Sequence, residues 1–295
     1  MDKNIAKQNL IRKDAEKAPL MHVIIVTLFA VGFTMLPVHY LFGLFIADEV
    51  SLNLASQAFI RIVVAVFAIV YCYKYGFNKL FTGFNGVLSL VLVVPALLVS
   101  INNAPIIGLA TGAVQIVGTP LQIVLFVVYC ISVGVFEEVV FRGIIFPLFL
   151  LATKTKKNSV FLAVLYSSLL FGLVHIVNLF SGSNAFAVIA QIGYTFLIGA
   201  MCAISLYVTG NLFVCILLHT VYDLGGMMIT CSVASGYGWD TATVIITVVL
   251  GVIVATYMSV IAVKAKPERI NRLIKPSENA DTEDKSSTLR DYNEF

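Results

Sequence analysis

Charge is what this sequence holds least of. Aspartate, glutamate, lysine and arginine make up 12% of its 295 residues and apolar residues 59%, whereas soluble globular domains carry about 25% and about 45–50%. A deficit of that size excludes an ordinary soluble domain. Cysteine is scarce as well. Cys72, Cys130, Cys202, Cys215 and Cys231 are scattered, mostly within apolar runs, with no CxxC or zinc-ribbon spacing; they read as small core hydrophobes rather than a disulfide or structural zinc framework. There is no internal repeat and no low-complexity tract. The opening stretch MDKNIAKQNLIRKDAEKAP is polar for too long to be a cleavable signal peptide, and the apolar run that starts at Leu20 is long enough to stay in a bilayer.

What the sequence does have is apolar runs. They fall at about 20–46, 54–75, 87–101, 121–150, 159–180, 186–208, 211–231 and 241–263. Crossing the hydrocarbon core takes about 20 apolar residues per helix, so the expected fold is all-α: a polytopic membrane protein of about eight transmembrane helices. Placing both termini in the cytoplasm puts Lys74, Lys79, the KTKK run (Lys154, Lys156, Lys157) and the Lys264 to Lys275 cluster on one face, and leaves Asp48, Glu49 and Asp240 on the other. No Lys or Arg falls in a loop of that second face, as the positive-inside rule requires. Residues 1–19 are then a cytoplasmic segment, 20–120 the first transmembrane helices with a re-entrant or interfacial piece, 121–263 a membrane core, and 264–295 a basic stretch and acidic tail that reads as disordered. The re-entrant piece is Asn102 to Pro120, uncharged and broken by Gly and Pro.

Against this background a few ionisable residues stand out. Each costs at least about 2.5–3.5 kcal/mol at the bilayer centre, so such residues face a protein interior or a water cavity and mark functional sites by default. In FEEVVFRG of the fourth span, Glu138 and Arg142 are four apart and can meet on one helix face. A structural ion pair explains those two and leaves Glu137 without a local partner. His22 and His39 sit near the ends of the first span, where interface positions account for them. His175 in the fifth span and His219 in the seventh lie deeper, and His219 shares a helix face with Asp223. Arg61 is expected to snorkel towards the outer face, and Pro147 to kink the fourth span. Phe141, Phe146, Phe161 and Phe171 read as packing or lipid-facing surface with no chemistry of their own.

Two carboxylates and two imidazoles fit three chemistries. In hydrolysis, a buried Glu takes a proton from water while imidazoles hold that water and donate to the developing oxyanion. A zinc site uses the same residue types, with Glu137, His175 and His219 as its ligands; HExxH is absent, however, and the candidates come from three helices, so spacing gives coordination no support. A proton relay in a transporter is the third, disfavoured because paired broken helices in matching halves are absent.

The motifs resemble a known family, the CAAX-protease and bacteriocin-processing (Abi, or type II CAAX prenyl endopeptidase-like) intramembrane proteases, marked by EExxxR, FxxxH and HxxxN or HxxxD on successive helices. Here they read Glu137-Glu138-Val-Val-Phe-Arg142, Phe171-Gly-Leu-Val-His175 and His219-Thr-Val-Tyr-Asp223, in order, over about residues 135 to 225; the first three spans carry nothing of the family. The resemblance implies that Glu137 is the general base and His175 holds the same water, that Glu138 supports Glu137 and pairs with Arg142, and that His219 and Asp223 stabilise the oxyanion. Asp223 stands where Asn is commoner. An ionised Asp would repel an oxyanion, so it must be protonated, must make His219 a better donor, or must mark altered activity. The implied protein is an intramembrane endopeptidase of the bacterial plasma membrane, glutamate-activated and without a cofactor (zinc being the alternative). Its expected partners are the bilayer and a peptide or membrane-anchored protein, with bacteriocin maturation or immunity as settings, and no nucleic acid. A non-proteolytic scaffold, sensor or immunity protein is the competing class.

Overall fold

The structure, a computed structural model, describes residues 12–274; the acidic tail and Lys275 lie outside the described residues. It is almost entirely helical, and among the described residues six helical stretches are long and apolar enough to cross a membrane: Pro19–Phe42, Glu49–Lys74, Pro120–Thr153, Ser159–Leu179, Ala185–Thr209 and Thr241–Lys264. The protein is an integral membrane protein. Within and between these stretches the main helices are α1 (Pro19–Thr34), α2 (Glu49–Lys74), α3 (Val94–Asn102), α4 (Pro120–Glu138), α5 (Phe146–Thr153), α6 (Ser159–Leu173), α7 (Ala185–Thr209), α8 (Leu212–Gly226) and α9 (Thr241–Lys264).

Contacts between the ends give the path of the chain. At one end the Asn85 N–H donates to the Thr209 carbonyl and the Asn211 side chain to the Gly83 carbonyl. At the other, Gln122 donates to Asp48, and strands β1 (Val114–Ile116) and β2 (Ala234–Gly236) pair antiparallel, Val114 opposite Gly236. The run expected to be the third span, 87–101, is therefore an end-to-end pass, but it is not one helix: a single turn at Leu88–Val91 is followed by α3, of 9 residues. Neither piece could cross a bilayer alone. The pass is held laterally, by Asn103 donating to the Tyr222 carbonyl of α8, Asn102 to Thr247 of α9, and Tyr257 to the Leu92 carbonyl. Irregular backbone at membrane depth is tolerated where protein covers it. The Asn102 to Pro120 piece folds in the same spirit, as a helix at Ile106–Thr111 and strand β1.

The fourth pass is the axis of the bundle. More than half of its most apolar window is buried, 56%, against 11–44% for the other long passes. Helices approach through small residues: a methyl group on Gly134 of this pass would sit 2.4 Å from Thr220 Oγ1 of α8, and one on Gly172 of α6 would sit 2.8 Å from the Ile192 carbonyl of α7. With no hydrophobic drive between helices inside lipid, close backbone approach of this kind is what packs them. The outer faces of α1, α2 and α9 stay apolar and exposed, as at Leu28, Val66 and Val252, which suits contact with lipid chains.

The expected kink at Pro147 takes a different form. Directly after Glu138 the backbone widens into a π-helical stretch, Val139–Ile145, and Pro147 lies in the first turn of α5. Proline has no N–H for the carbonyl four residues back. That carbonyl, of Gly143, accepts instead from Cys72 Sγ at 3.3 Å. Four of the five cysteines are buried and all are free thiols, so Cys72 is both a core hydrophobe and the partner that the widened backbone needs.

Candidate active site

The site is built where the fourth pass meets α8. The absence of a side chain at Gly134 lets α4 touch the turn of α8 that carries Ile216 and Thr220, which brings residues about eighty positions apart within bonding distance. Glu138 ends α4 and is wholly buried. Its Oε1 accepts from Arg142 Nη1 at 3.0 Å and from His219 Nδ1 at 2.6 Å. One carboxylate oxygen thus holds a guanidinium on its own helix and an imidazole on another. Charge-assisted bonds of this length are among the strongest a protein makes, and both partners are themselves buried.

That anchoring turns the other ring nitrogen of His219 outward into the site. Nε2 lies 3.6 Å from Glu137 Oε2 and 3.6 Å from Asp223 Oδ2. Both separations exceed hydrogen-bond length and are of the size that a bridging group spans. Asp223 Oδ2 is buried and has no hydrogen-bond partner, so an acceptor is aimed into this space. The Glu137 side chain keeps 17% of its surface and Asp223 10%, whereas Glu138 keeps none. The two carboxylates of the fourth span are therefore inequivalent: one fixes the scaffold and one faces the accessible side.

His175 arrives from the fifth pass. Here α6 tightens into a 3-10 turn, Val174–Leu179, and Nδ1 of His175 donates to the Phe171 carbonyl at 2.9 Å. Its Nε2 is left for a ligand. No hydrogen bond or ion pair joins His175 to Glu137; the link between the fifth pass and the rest of the site is Phe171. That ring packs edge-on to His175 and His219, with centroids 5.5 and 5.9 Å apart, and lies 4.4 Å beneath the Arg142 guanidinium. Gly199 of α7 backs this stack, since a methyl there would come within 3.1 Å of Arg142 Nη2 and of Phe171.

The sequence pattern gathers Glu138 with Arg142 and His219 with Asp223, and both pairs meet in the structure. The bond between Glu138 and His219 is the part that spacing could not give, because it joins different helices. Phe171 is a centre of contact rather than mere packing surface. Arg61 does point one turn towards the outer end, where Nη1 bonds the carbonyl and side chain of Gln57, but its guanidinium ends over Tyr129 at 5.2 Å rather than at an interface. Among the described residues no three His, Cys, Asp or Glu side chains are gathered closely enough to hold a metal ion.

Residues 119–225 match the family model described as type II CAAX prenyl endopeptidase Rce1-like. The match runs from the cap of α4 to the end of α8 and contains Glu137, Glu138, Arg142, His175, His219 and Asp223. No curated protein and no solved structure matches the chain.

Proposed function

Because residues 119–225 match the family model described as type II CAAX prenyl endopeptidase Rce1-like, we propose that this protein is an intramembrane protease that hydrolyses a peptide bond with a water activated by Glu137. The observation that carries the proposal is the bond from Glu138 to His219. It supplies a fixed imidazole whose second nitrogen faces a partly exposed carboxylate, Glu137, across 3.6 Å.

In this scheme Glu137 takes a proton from the water as its oxygen attacks the substrate carbonyl carbon. His219, in this scheme protonated on both ring nitrogens with its Nδ1–H held by Glu138, donates its Nε2–H to the oxyanion, whose charge develops where water is scarce and a fixed donor is worth most. Collapse breaks the carbon–nitrogen bond, and Glu137 returns its proton to the leaving amine. His175, with Nδ1 occupied by the Phe171 carbonyl, accepts from the same water through Nε2. Arg142 pairs with Glu138 and helps hold it in place as the acceptor for His219. Asp223 sits beside Nε2 of His219 and orients the substrate amide. Base, donor and proton carrier are all side chains, so no metal is assigned a step. The substrate is a peptide or a membrane-anchored protein, and bacteriocin maturation or immunity is a setting that such an activity would serve.

The test is hydrolysis of a quenched peptide library by purified protein. General-base catalysis contributes about 10²–10⁴-fold, so Glu137→Ala and Glu137→Gln should lose at least about 100-fold. Undiminished cleavage by either variant would sink the assignment.

A further inference from the structure

The two ends of the bundle differ in ways that fix which side of the membrane the site serves. On the fifth and seventh passes the site residues lie close to one end. His175 precedes the end of its 3-10 turn, at Leu179, by about 8 Å, and Asp223 precedes the end of α8, at Gly226, by about 5 Å. Towards the opposite end the same helices continue from those residues for about 25 Å and about 17 Å.

Packing follows the same division. Below the Glu138–Arg142 pair, Ile144, Ile145, Phe146, Leu148, Leu206 and Leu212 are each 0–1% exposed. They form a continuous apolar plug between the site and the end that carries Lys74, Lys154, Lys156, Lys157 and Lys264. On the other side Glu137 and Asp223 keep part of their surface, and His175, Asn178, Gln191 and Tyr222 are half-buried. Interiors are close-packed, so a charged or extended substrate has no route through the plug, and the site residues that keep part of their surface lie on the side of the β1–β2 pair.

Charge then assigns the faces. The loops on the open side, 43–48, 103–119, 180–184 and 227–240, contain Asp48 and Asp240 and no Lys or Arg. Lysines cluster at the plugged end, which the positive-inside rule puts in the cytoplasm. We infer that the active site opens to the non-cytoplasmic face of its membrane, and that its substrates are peptide segments presented there, such as an exported peptide or the external juxtamembrane stretch of a membrane protein, rather than a cytoplasmic carboxyl-terminal tail. The substrate class rests on the proteolytic reading given above; the direction of the opening does not.

Labelling separates the two. Reporter cysteines are placed one at a time at Asn178→Cys, Glu137→Cys and Lys156→Cys, in a Cys231→Ser background because Cys231 is the one native cysteine that is not buried. Each is reacted with a membrane-impermeant maleimide in right-side-out and inside-out vesicles. Cysteines at 178 and 137 should react at least about tenfold faster in right-side-out vesicles, and the one at 156 only in inside-out vesicles. Labelling of 137 and 178 from the inside-out side alone, or of neither from either side, overturns the inference; so does labelling of 156 in right-side-out vesicles. Asn178→Cys keeps the test valid if the buried substitution at 137 disturbs folding. In a second measurement, a cleavable segment displayed outside should be cut and the same segment displayed inside left intact. Cutting of the inside segment alone overturns the substrate class. Correct labelling with no cleavage on either side would refute the proteolytic reading while leaving the opening established.

Discussion

The bond network at Glu138 makes a prediction that separates folding from catalysis. Glu138 and Arg142 are 3.0 Å apart and almost wholly buried. At that distance two unit charges attract by about 5–6 kcal/mol if the effective dielectric is about 20. Removing one partner leaves the other charged and buried, a loss of about 3–5 kcal/mol, while replacing both with apolar groups of similar volume is often close to neutral. Glu138→Leu and Arg142→Met should therefore each destabilise by about 3–5 kcal/mol, and the double variant by much less than their sum. Four buried free thiols, Cys72, Cys130, Cys202 and Cys215, provide the readout: a thiol-reactive fluorophore reports unfolding in detergent as they become accessible. Hydrolysis should behave differently. Glu138 also fixes His219 through a 2.6 Å bond to Nδ1, and no substitution at 142 replaces that acceptor. The double variant should regain stability and remain at least about 100-fold slower than wild type, because an imidazole without its orienting partner loses both tautomer and direction. Recovery of hydrolysis along with stability would show that Glu138 is only the counterion of Arg142, and the mechanism argued above would fall.

Other predictions follow from single contacts. Asp223→Asn should keep hydrolysis within about tenfold, because an amide at 3.6 Å from His219 Nε2 offers an N–H donor without repelling the oxyanion; a 100-fold loss would show that the carboxylate itself takes part. Gly134→Val should lower the yield of folded protein sharply, since a side chain there meets Thr220 Oγ1 and forces α4 from α8; a normal melting profile would contradict that packing. In the proposed mechanism the base and oxyanion donor are side chains, so hydrolysis should survive a strong chelator, and elemental analysis finding about one zinc per chain with chelator-sensitive activity would refute it. At the helix cap of α2, bonds from Ser51 and Gln122 hold the Asp48 carboxyl below its usual range. A depressed folded value means that its stabilisation is complete above the ordinary aspartate pKa of about 3.9 and is lost as pH falls through the folded value. Wild type and Asp48→Ala should therefore differ in melting temperature near neutrality and converge in strong acid; a gap that widens on acidification would reverse the sign.

How much of this could be read from the sequence depends on the range of each interaction. Bilayer thickness fixes the length of an apolar run, so the long helices are legible in hydropathy alone. Two expected spans are exceptions: 211–231 holds a helix of only 15 residues, Leu212–Gly226, and 87–101 is apolar enough to look like a span, but its break into two short helices is stabilised by Asn102, Asn103 and Tyr257 reaching other passes. Within a helix, spacing is geometry, and Glu138 with Arg142, or His219 with Asp223, can be paired by counting to four. Between helices it is not. The bond from Glu138 to His219, the position of Phe171 among three charged or polar groups, and the stacking of Arg61 on Tyr129 all depend on crossings that small residues such as Gly134 and Gly199 permit.

The π-helical stretch joins these two levels. A widened turn is rare, costs hydrogen-bond quality and is found most often at functional sites. Here it begins at the residue after Glu138 and ends just before Pro147, so the missing N–H of Pro147 and the Sγ of Cys72 belong to the same local arrangement as the Glu138–Arg142 pair. Its effect is to set how Glu138 and Arg142 face α8. Restoring an ordinary N–H with Pro147→Ala gives the backbone the option of closing into an α-helix, which would rotate Glu138 relative to His219 without removing any group of the site. The expected outcome is a protein of equal or greater thermal stability with hydrolysis slowed by about tenfold or more. Unchanged hydrolysis would mean that the proline and the widened turn have no part in aiming the pair.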